Sequence, residues 1–383
     1  MPSSPGQAEY KVRLKDQGGL LVAEFDAWRS LAFAHKVNNR GNMRLEIDGN
    51  DSRVDLFELD GQIEIWRQNL KVDLPWYKEW EGLHRSTNDL LQPVNDKDSF
   101  VAYGFSYLDL ARRAYIMWRA GTAEATKNAV AETVMKELVI ENIGADALVG
   151  AGRIASNVYP GLIVQADGAG GPTWEDSMEN DNLLATLQRI GLFTVENSNV
   201  IDFDIVSAGN AVFEFRTYAG QRGTDRTQGN PDSNDPVIFS TDFANMDTPM
   251  LKQDRTNEIT AVYALGRGTD AAQQIELATS VDINDSPWNR IEMIVNTATS
   301  GDDQSGQLTS AAEARLEEGK FDEMLTFDVL QTEATYYGKH YTWGDLVTVR
   351  YKDYSASKKL VSLQATVSQN AEGEIIRTEF MDK

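Results

Sequence analysis

Apolar and polar residues alternate with a period of two toward both ends of the chain, a spacing that predicts half-buried β-strands. Tyr10-Lys11-Val12-Arg13-Leu14 alternates in this way, and Leu20 to Phe25 follows as a second candidate strand. Asn39-Arg40-Gly41-Asn42 reads as a turn before Met43-Arg44-Leu45-Glu46-Ile47, and Asp60-Gly61 as a turn before Gln62 to Arg67. Short strands broken by Gly, Asn and Asp predict a small barrel or sandwich over residues 9–104, behind a flexible lead at 1–8.

The period changes near residue 105. Tyr107 to Arg113 fits a short helix. Gly121-Thr122-Ala123-Glu124 fits a helix start with Thr122 as N-cap, and Ala129, Val130, Val134, Leu138 and Val139 form its apolar stripe ahead of Gly144. A Gly-rich loop runs from Gly144 to Pro172, and Asn182 to Gly191 reads as a second helix closed by its glycine. Strands are predicted at Val200–Val206 and Ala211–Tyr218, which makes residues 105–236 an inserted α+β module.

From Val237 the pattern is β-rich again. Candidate strands are Val237–Ser240, Glu258–Leu265, Gln274–Ala278, Arg290–Val295, Leu325–Leu330, Leu346–Tyr351, Leu360–Val367 and Glu374–Phe380. One helix, Thr309 to Glu318, interrupts them ahead of Gly319. Tyr336 to Asp345 is aromatic and polar, which suits a packed loop or contact surface. The expected class is α+β and mostly β, with β-rich ends (9–104 and 237–383) flanking the insert.

Composition narrows the chemistry. The chain has 383 residues and no cysteine, so disulfides, thiolate nucleophiles and Cys-based metal sites are excluded. Its net charge is 36 − 59 = −23, a field that repels nucleic-acid phosphates. No stretch reaches the roughly 18 apolar residues of a membrane span. The N-terminus lacks the basic and apolar regions of a signal peptide, so folding in a cytoplasm and no membrane insertion are expected.

The candidate motifs are weak. Gly150-Ala151-Gly152-Arg153-Ile154-Ala155 matches a dinucleotide fingerprint, but a feeble strand precedes it and Pro160-Gly161 breaks the helix it requires. Gly168-Ala169-Gly170-Gly171 lacks the Lys-Ser/Thr of a phosphate loop. His35, His84 and His340 are far apart and in no metal-binding spacing. Asp48 to Ser52 and Asp282 to Asp285 are oxygen-rich but lack the calcium-loop spacing, so turn chemistry is the simpler reading. With 59 carboxylates, paired acids must occur somewhere, yet nothing places two of them in a cleft. The tryptophans read first as core and second as interface anchors. No cofactor, metal or catalytic residue is predicted.

Several segments, in order, resemble the tail-hub (tail-associated or baseplate hub) proteins of long-tailed siphophages. They include Phe25-Asp26-Ala27-Trp28-Arg29, Ile65-Trp66-Arg67, Gly223-Thr224-Asp225-Arg226, Ser286-Pro287-Trp288-Asn289, and Tyr337-Gly338-Lys339-His340-Tyr341-Thr342-Trp343-Gly344-Asp345. The similarity runs from about residue 9 to about 380. It implies two tail-tube-like β-barrel domains with the inserted module. It also implies a homotrimer that imitates a six-fold ring at the distal end of a phage tail, assembled in the host cytoplasm. Implied partners are the distal tail ring, the C-terminus of the tape measure protein, and a downstream fibre or tip. DNA would pass through without specific binding. Receptor binding and peptidoglycan cleavage are expected of another protein, because the long C-terminal extension of many hubs is missing here. A host-carbohydrate-binding or cell-wall-hydrolase component is the alternative expectation.

Overall fold

The computed structural model describes residues 8–90, 98–117, 122, 124–153, 155–297, 305–352, 354–368 and 374–382. The expected lead at 1–8 lies outside these residues except for Ala8. So do Gly121 and Ala123 of the expected helix start.

The N-terminal region supplies β1 (Glu9–Lys15), β2 (Leu21–Phe25), β3 (Ser30–Lys36), β4 (Asn42–Asp48), β5 (Gln62–Asn69), β6 (Leu74–Leu90) and β7 (Ser99–Phe105). Tyr10, Val12 and Leu14 of β1 point into the core, as their alternation requires. The middle region supplies α1 (Asp109–Arg112), β8 (Ala125–Val130), α2 (Ala131–Asn142), β9 (Leu162–Val164), β10 (Thr173–Met178), α3 (Leu183–Glu196), β11 (Ile201–Gly209) and β12 (Val212–Ala219). The C-terminal region supplies β13 (Asp225–Arg226), β14 (Ile238–Ser240), β15 (Met246–Asp254), β16 (Ala261–Leu265), β17 (Ile275–Thr279) and β18 (Glu292–Asn296). It continues with α4 (Ser305–Glu318), β19 (Asp322–Val329), β20 (Leu346–Tyr351), β21 (Tyr354–Ser368) and β22 (Glu374–Asp382). Strand holds 46% of the chain and helix 18%, so the fold is mostly β.

The N- and C-terminal regions share one sheet of 14 strands, in the order β15-β19-β22-β21-β3-β4-β7-β6-β5-β1-β2, with β20 branching from β21 and carrying β13 and β14. The long β21 is the splice. Its first half pairs with β20, and its second half pairs with β3, from Ser362 opposite Lys36 to Ser368 opposite Ser30. One apolar core serves both regions, with Val12, Leu45 and Ile63 packed among Val349, Leu363 and Phe380. Among the described residues the sheet does not close on itself; β2 and β15 end its main run, and β13 and β14 form the free edge of the branch beside β20. The two ends differ. β15 carries Pro249 and a register shift between Asp247 and Met250, both of which blunt an edge. β2 has no proline but also carries a register shift, since Ala23 pairs with Leu14 and Leu21 with Lys15, and it exposes Leu21 and Val22.

A second core lies under α2 and α3, with Trp174, Leu187 and Phe203 among its buried side chains. A third, small core lies between α4 and the three-stranded sheet β17-β16-β18.

Three helix boundaries differ from expectation; α4 already runs from Ser305, four residues ahead of Thr309. Ala129 and Val130 belong to β8, not to the helix, because they pair with Trp174 and Thr173 of β10; α2 starts at Ala131. Cross-strand pairing here overrides a local helical pattern. Gly191 lies inside α3 and does not close it, because the buried face continues through Phe193 and Thr194. That burial outweighs the roughly 1 kcal/mol cost of a mid-helix glycine. Asn182 caps this helix, accepting from the Ala185 amide at 3.2 Å.

Candidate functional site

β5 is buried along almost its whole length, so its polar side chains need internal partners. Arg67 is fully buried there. The strand registers place Tyr10 of β1 on one side of it and Tyr77 of β6 on the other. Glu374, the first residue of β22, comes in from the opposite end of the chain. Arg67 donates from Nε to Tyr10 Oη at 3.0 Å and to Glu374 Oε2 at 2.9 Å. Its Nη1 donates to Tyr77 Oη at 3.1 Å and to the Tyr337 carbonyl at 2.9 Å, while Nη2 bonds Glu374 Oε1. The guanidinium also lies 5.2 Å and 5.1 Å from the ring centres of Tyr336 and Tyr337. Burial opposes the Arg67 charge, yet Tyr10 and Glu374 hold it protonated above its ordinary range. Gly338 has φ +82°, and a Cβ there would sit 2.5 Å from Tyr77 Oη and 2.9 Å from Arg67 Nη1. Only glycine fits the turn that closes this junction.

Glu79 of β6 extends the network. It pairs with His35 Nε2 at 3.0 Å and accepts from the hydroxyls of Tyr77 and Tyr337. Burial pushes its carboxyl up, but His35 and Arg67 hold it below the usual range. Burial and Glu79 together raise the Tyr337 phenol well above its usual value. The His35 ring stacks on Trp343 at 4.7 Å, and the Arg222 guanidinium lies 3.7 Å from the centre of the same indole. Arg222 in turn meets Asp204 at 2.8 Å. His35, Glu79, Asp204, Arg222 and Trp343 border a cavity of about 200 Å³ where all three regions of the chain meet.

A second lock ties β13 to β20. Asp345 accepts from the Thr224 amide at 2.7 Å, the Thr342 amide at 2.9 Å and Arg226 Nε at 3.3 Å. Burial raises its carboxyl against the pull of those donors. Gly344 stands at φ +91°, where the turn requires a left-handed residue. Asp225 accepts from both the amide and the hydroxyl of Thr227.

These contacts clamp a fold together: their carboxylates are spent on internal arginine, tyrosine, histidine and backbone donors. The profile of the siphovirus ReqiPepy6 Gp37-like proteins matches residues 11–369. The chain belongs to that family. Its fold is shared with the tail protein of Neisseria meningitidis MC58, at TM-score 0.56 and 13% identity over 98% of this chain and 97% of that one. It is shared also with the 43 kDa tail protein of prophage MuSo2 from Shewanella oneidensis, at TM-score 0.55 and 12% identity over 98% and 96%. A chain of the Francisella PdpA-VgrG complex aligns at TM-score 0.51 and 9% identity, over 98% of this chain and 58% of its own length. Among curated proteins, no sequence matches it.

Of the segments that carried the family resemblance, the structure gathers Arg67, Tyr337 and Gly338 at the first lock, and Asp225, Arg226, Gly344 and Asp345 at the second. The others stand apart. Trp28 is a core residue. Arg29 donates to the Asp98 carbonyl at 2.6 Å and to Asp48 at 3.1 Å, a turn tie that uses one of the oxygen-rich loops. Trp66 donates to Glu64 at 2.9 Å beneath the Arg13 guanidinium, 4.6 Å away. Trp288 is 89% exposed.

Pattern reading missed Glu374, Glu79 and Tyr10. Tyr10 sits on the apolar face of β1, and Glu79 and Glu374 lie among other polar residues of β6 and β22, so none carries a distinguishing local signal. The glycines at 168–171 also find a reason. The Gly168 and Gly170 amides donate to Glu132 at 3.2 Å and 2.8 Å, and Thr217 and Lys136 complete the set around that carboxylate. The loop cradles an anion of its own chain. His84 contacts the carbonyls of Glu58 and Ser86, and His340 accepts from the Tyr336 amide at 2.8 Å. Among the described residues no group of three or more His, Asp or Glu side chains is arranged to hold a metal.

Proposed function

We propose that this chain is a structural hub at the distal end of a siphophage tail, with no chemistry of its own. The observation that carries the reading is the single sheet that fuses both ends of the chain, in a member of a siphovirus family whose fold matches tail proteins. In this reading each subunit contributes two tube-like β units with the α+β module outside. Three copies build a ring that matches six-fold tail symmetry, and neighbouring copies complete at the ends of the sheet the barrels that one chain leaves open. The distal tail ring, the tape measure C-terminus and a fibre or tip are its partners in the virion. The net charge of −23 supports a lumen that lets DNA pass without holding it.

Light scattering after size exclusion tests the ring. The subunit mass is 42.6 kDa, so a trimer gives 3 × 42.6 = 127.8 kDa. A chain that stays monomeric at every concentration, and also in the presence of the distal ring protein, refutes it.

A further inference from the structure

The turn from Tyr336 to Tyr341 straps the C-terminal region onto β5 and β6. Besides the Tyr337 carbonyl on Arg67, Tyr336 Oη accepts from Asn69 at 2.7 Å, and Lys339 Nζ donates to the Val72 carbonyl at 2.6 Å. A histidine closes this turn. Tyr336 is 1% exposed, and its amide donates to His340 Nδ1 at 2.8 Å. Among the described residues that buried amide has no other acceptor. An N–H aimed at Nδ1 requires a lone pair there, so the ring is neutral and carries its proton on Nε2. A second proton on Nδ1 would set two donors face to face. The Tyr336 carbonyl offers no alternative, because it already takes the Lys339 amide at 3.2 Å and the His340 amide at 2.9 Å. The other two histidines are placed differently. His35 faces the Glu79 carboxylate and His84 faces two carbonyls, acceptors that suit a charged ring.

We infer that His340 is an acid-released latch: its neutral ring holds the turn on β5 and β6, and its protonation frees the Tyr336 amide and loosens residues 336–341. The charges that face the ring are Lys339 on its own turn, Arg226 of β13 and Asp235 of the loop before β14. Arg226 is itself tied to Asp345 at 3.3 Å. Burial first, then Lys339 and Arg226, push the imidazole below its ordinary 6.5, against the pull of Asp235. A histidine lowered by folding contributes fully above its unfolded value, and that contribution is lost as pH falls through the folded one. The latch therefore holds at neutral pH and opens in mild acid. It does not depend on the hub reading.

The test is hydrogen–deuterium exchange of the full chain at about pH 7.5 and about pH 5, on either side of the ordinary histidine value. Exchange is read at the peptide spanning 336–341 and corrected for the intrinsic effect of pH. Wild type is expected to lose roughly tenfold in protection there between the two conditions, while the peptide of β1 changes less. His340→Asn offers an amide oxygen near the place of Nδ1, an acceptor that does not titrate. It is expected to keep the turn protected at both pH values. His340→Ala removes the acceptor and exposes the turn at both. Equal protection of the wild type at both pH values, or the same acid loss in His340→Asn, overturns the latch. Full protection in His340→Ala overturns it as well. If His340→Ala fails to fold, the comparison of wild type with His340→Asn decides.

Discussion

The junction at Arg67 and the sheet β17-β16-β18 invert the usual rule in opposite directions. At the junction, two charges and several phenols are buried. On the small sheet, aliphatic side chains stand in water. The buried charges are tolerated because every one has a partner, and those partners come from β1, β5, β6, β22 and the 336–338 turn. A slip in how the chain's two ends meet would strand an ion in the core, so the polar junction favours one register of that meeting. The exposed aliphatic residues have no such internal answer. Buried polarity here specifies how the chain closes on itself, whereas the exposed aliphatic residues of the small sheet take no part in that closure.

The largest expected effect breaks the first half of that comparison. Glu374→Gln leaves the Arg67 charge buried without its counter-ion and costs about 3–5 kcal/mol in urea unfolding. Arg67→Met with Glu374→Leu recovers most of that loss if the junction serves register more than stability. A double variant as unstable as the single one contradicts the register argument. Next, the Glu132→Gln variant loses about 1.5–3 kcal/mol at pH 7, by loss of charged hydrogen bonds. The Lys136, Thr217 and glycine-amide donors overcome burial and hold the Glu132 carboxyl at about 2, below its ordinary 4.5. A carboxyl lowered by folding stabilises above its unfolded value, and that contribution fades as pH falls from 4.5 toward 2. Wild type and variant should therefore converge in acid; a gap that stays constant down to pH 2 contradicts the assignment. Gly338→Ala forces a left-handed residue and a collision with Tyr77, at about 1–3 kcal/mol in the same unfolding assay. The smallest effect sharpens the other half. Ile294→Ser shifts the stability of the isolated chain by no more than about 0.5 kcal/mol, as for other exposed sites. A larger loss would mean that this face is already covered within the molecule.

Local alternation made much of the β framework legible. β1 and β4 lie where period two predicts them, because each buries one set of side chains and its pattern records that burial, and β5 and β20 also lie where expected although both their faces are largely buried. β15 escaped notice because it is an edge strand with most residues exposed, which erases the alternation. The end of β8 reads locally as helix because Ala129 and Val130 continue the apolar spacing of α2, and only β10 across from them decides otherwise. Of the two locks, the Gly338 and Gly344 turns were visible as punctuation in an aromatic loop, but their partners were not.

What the sequence determined alone is the class: mostly β, acidic, free of thiol chemistry, with strands toward both ends and helices between. Composition and period suffice for that, because they report how each short segment meets water. The tertiary structure alone decided that the two β-rich ends form one sheet through β3 and β21, and that Arg67 is answered by Glu374, 307 positions away. A strand's pattern states that one of its faces is buried but not against what. That choice is made by the register of distant strands, and no local spacing encodes it.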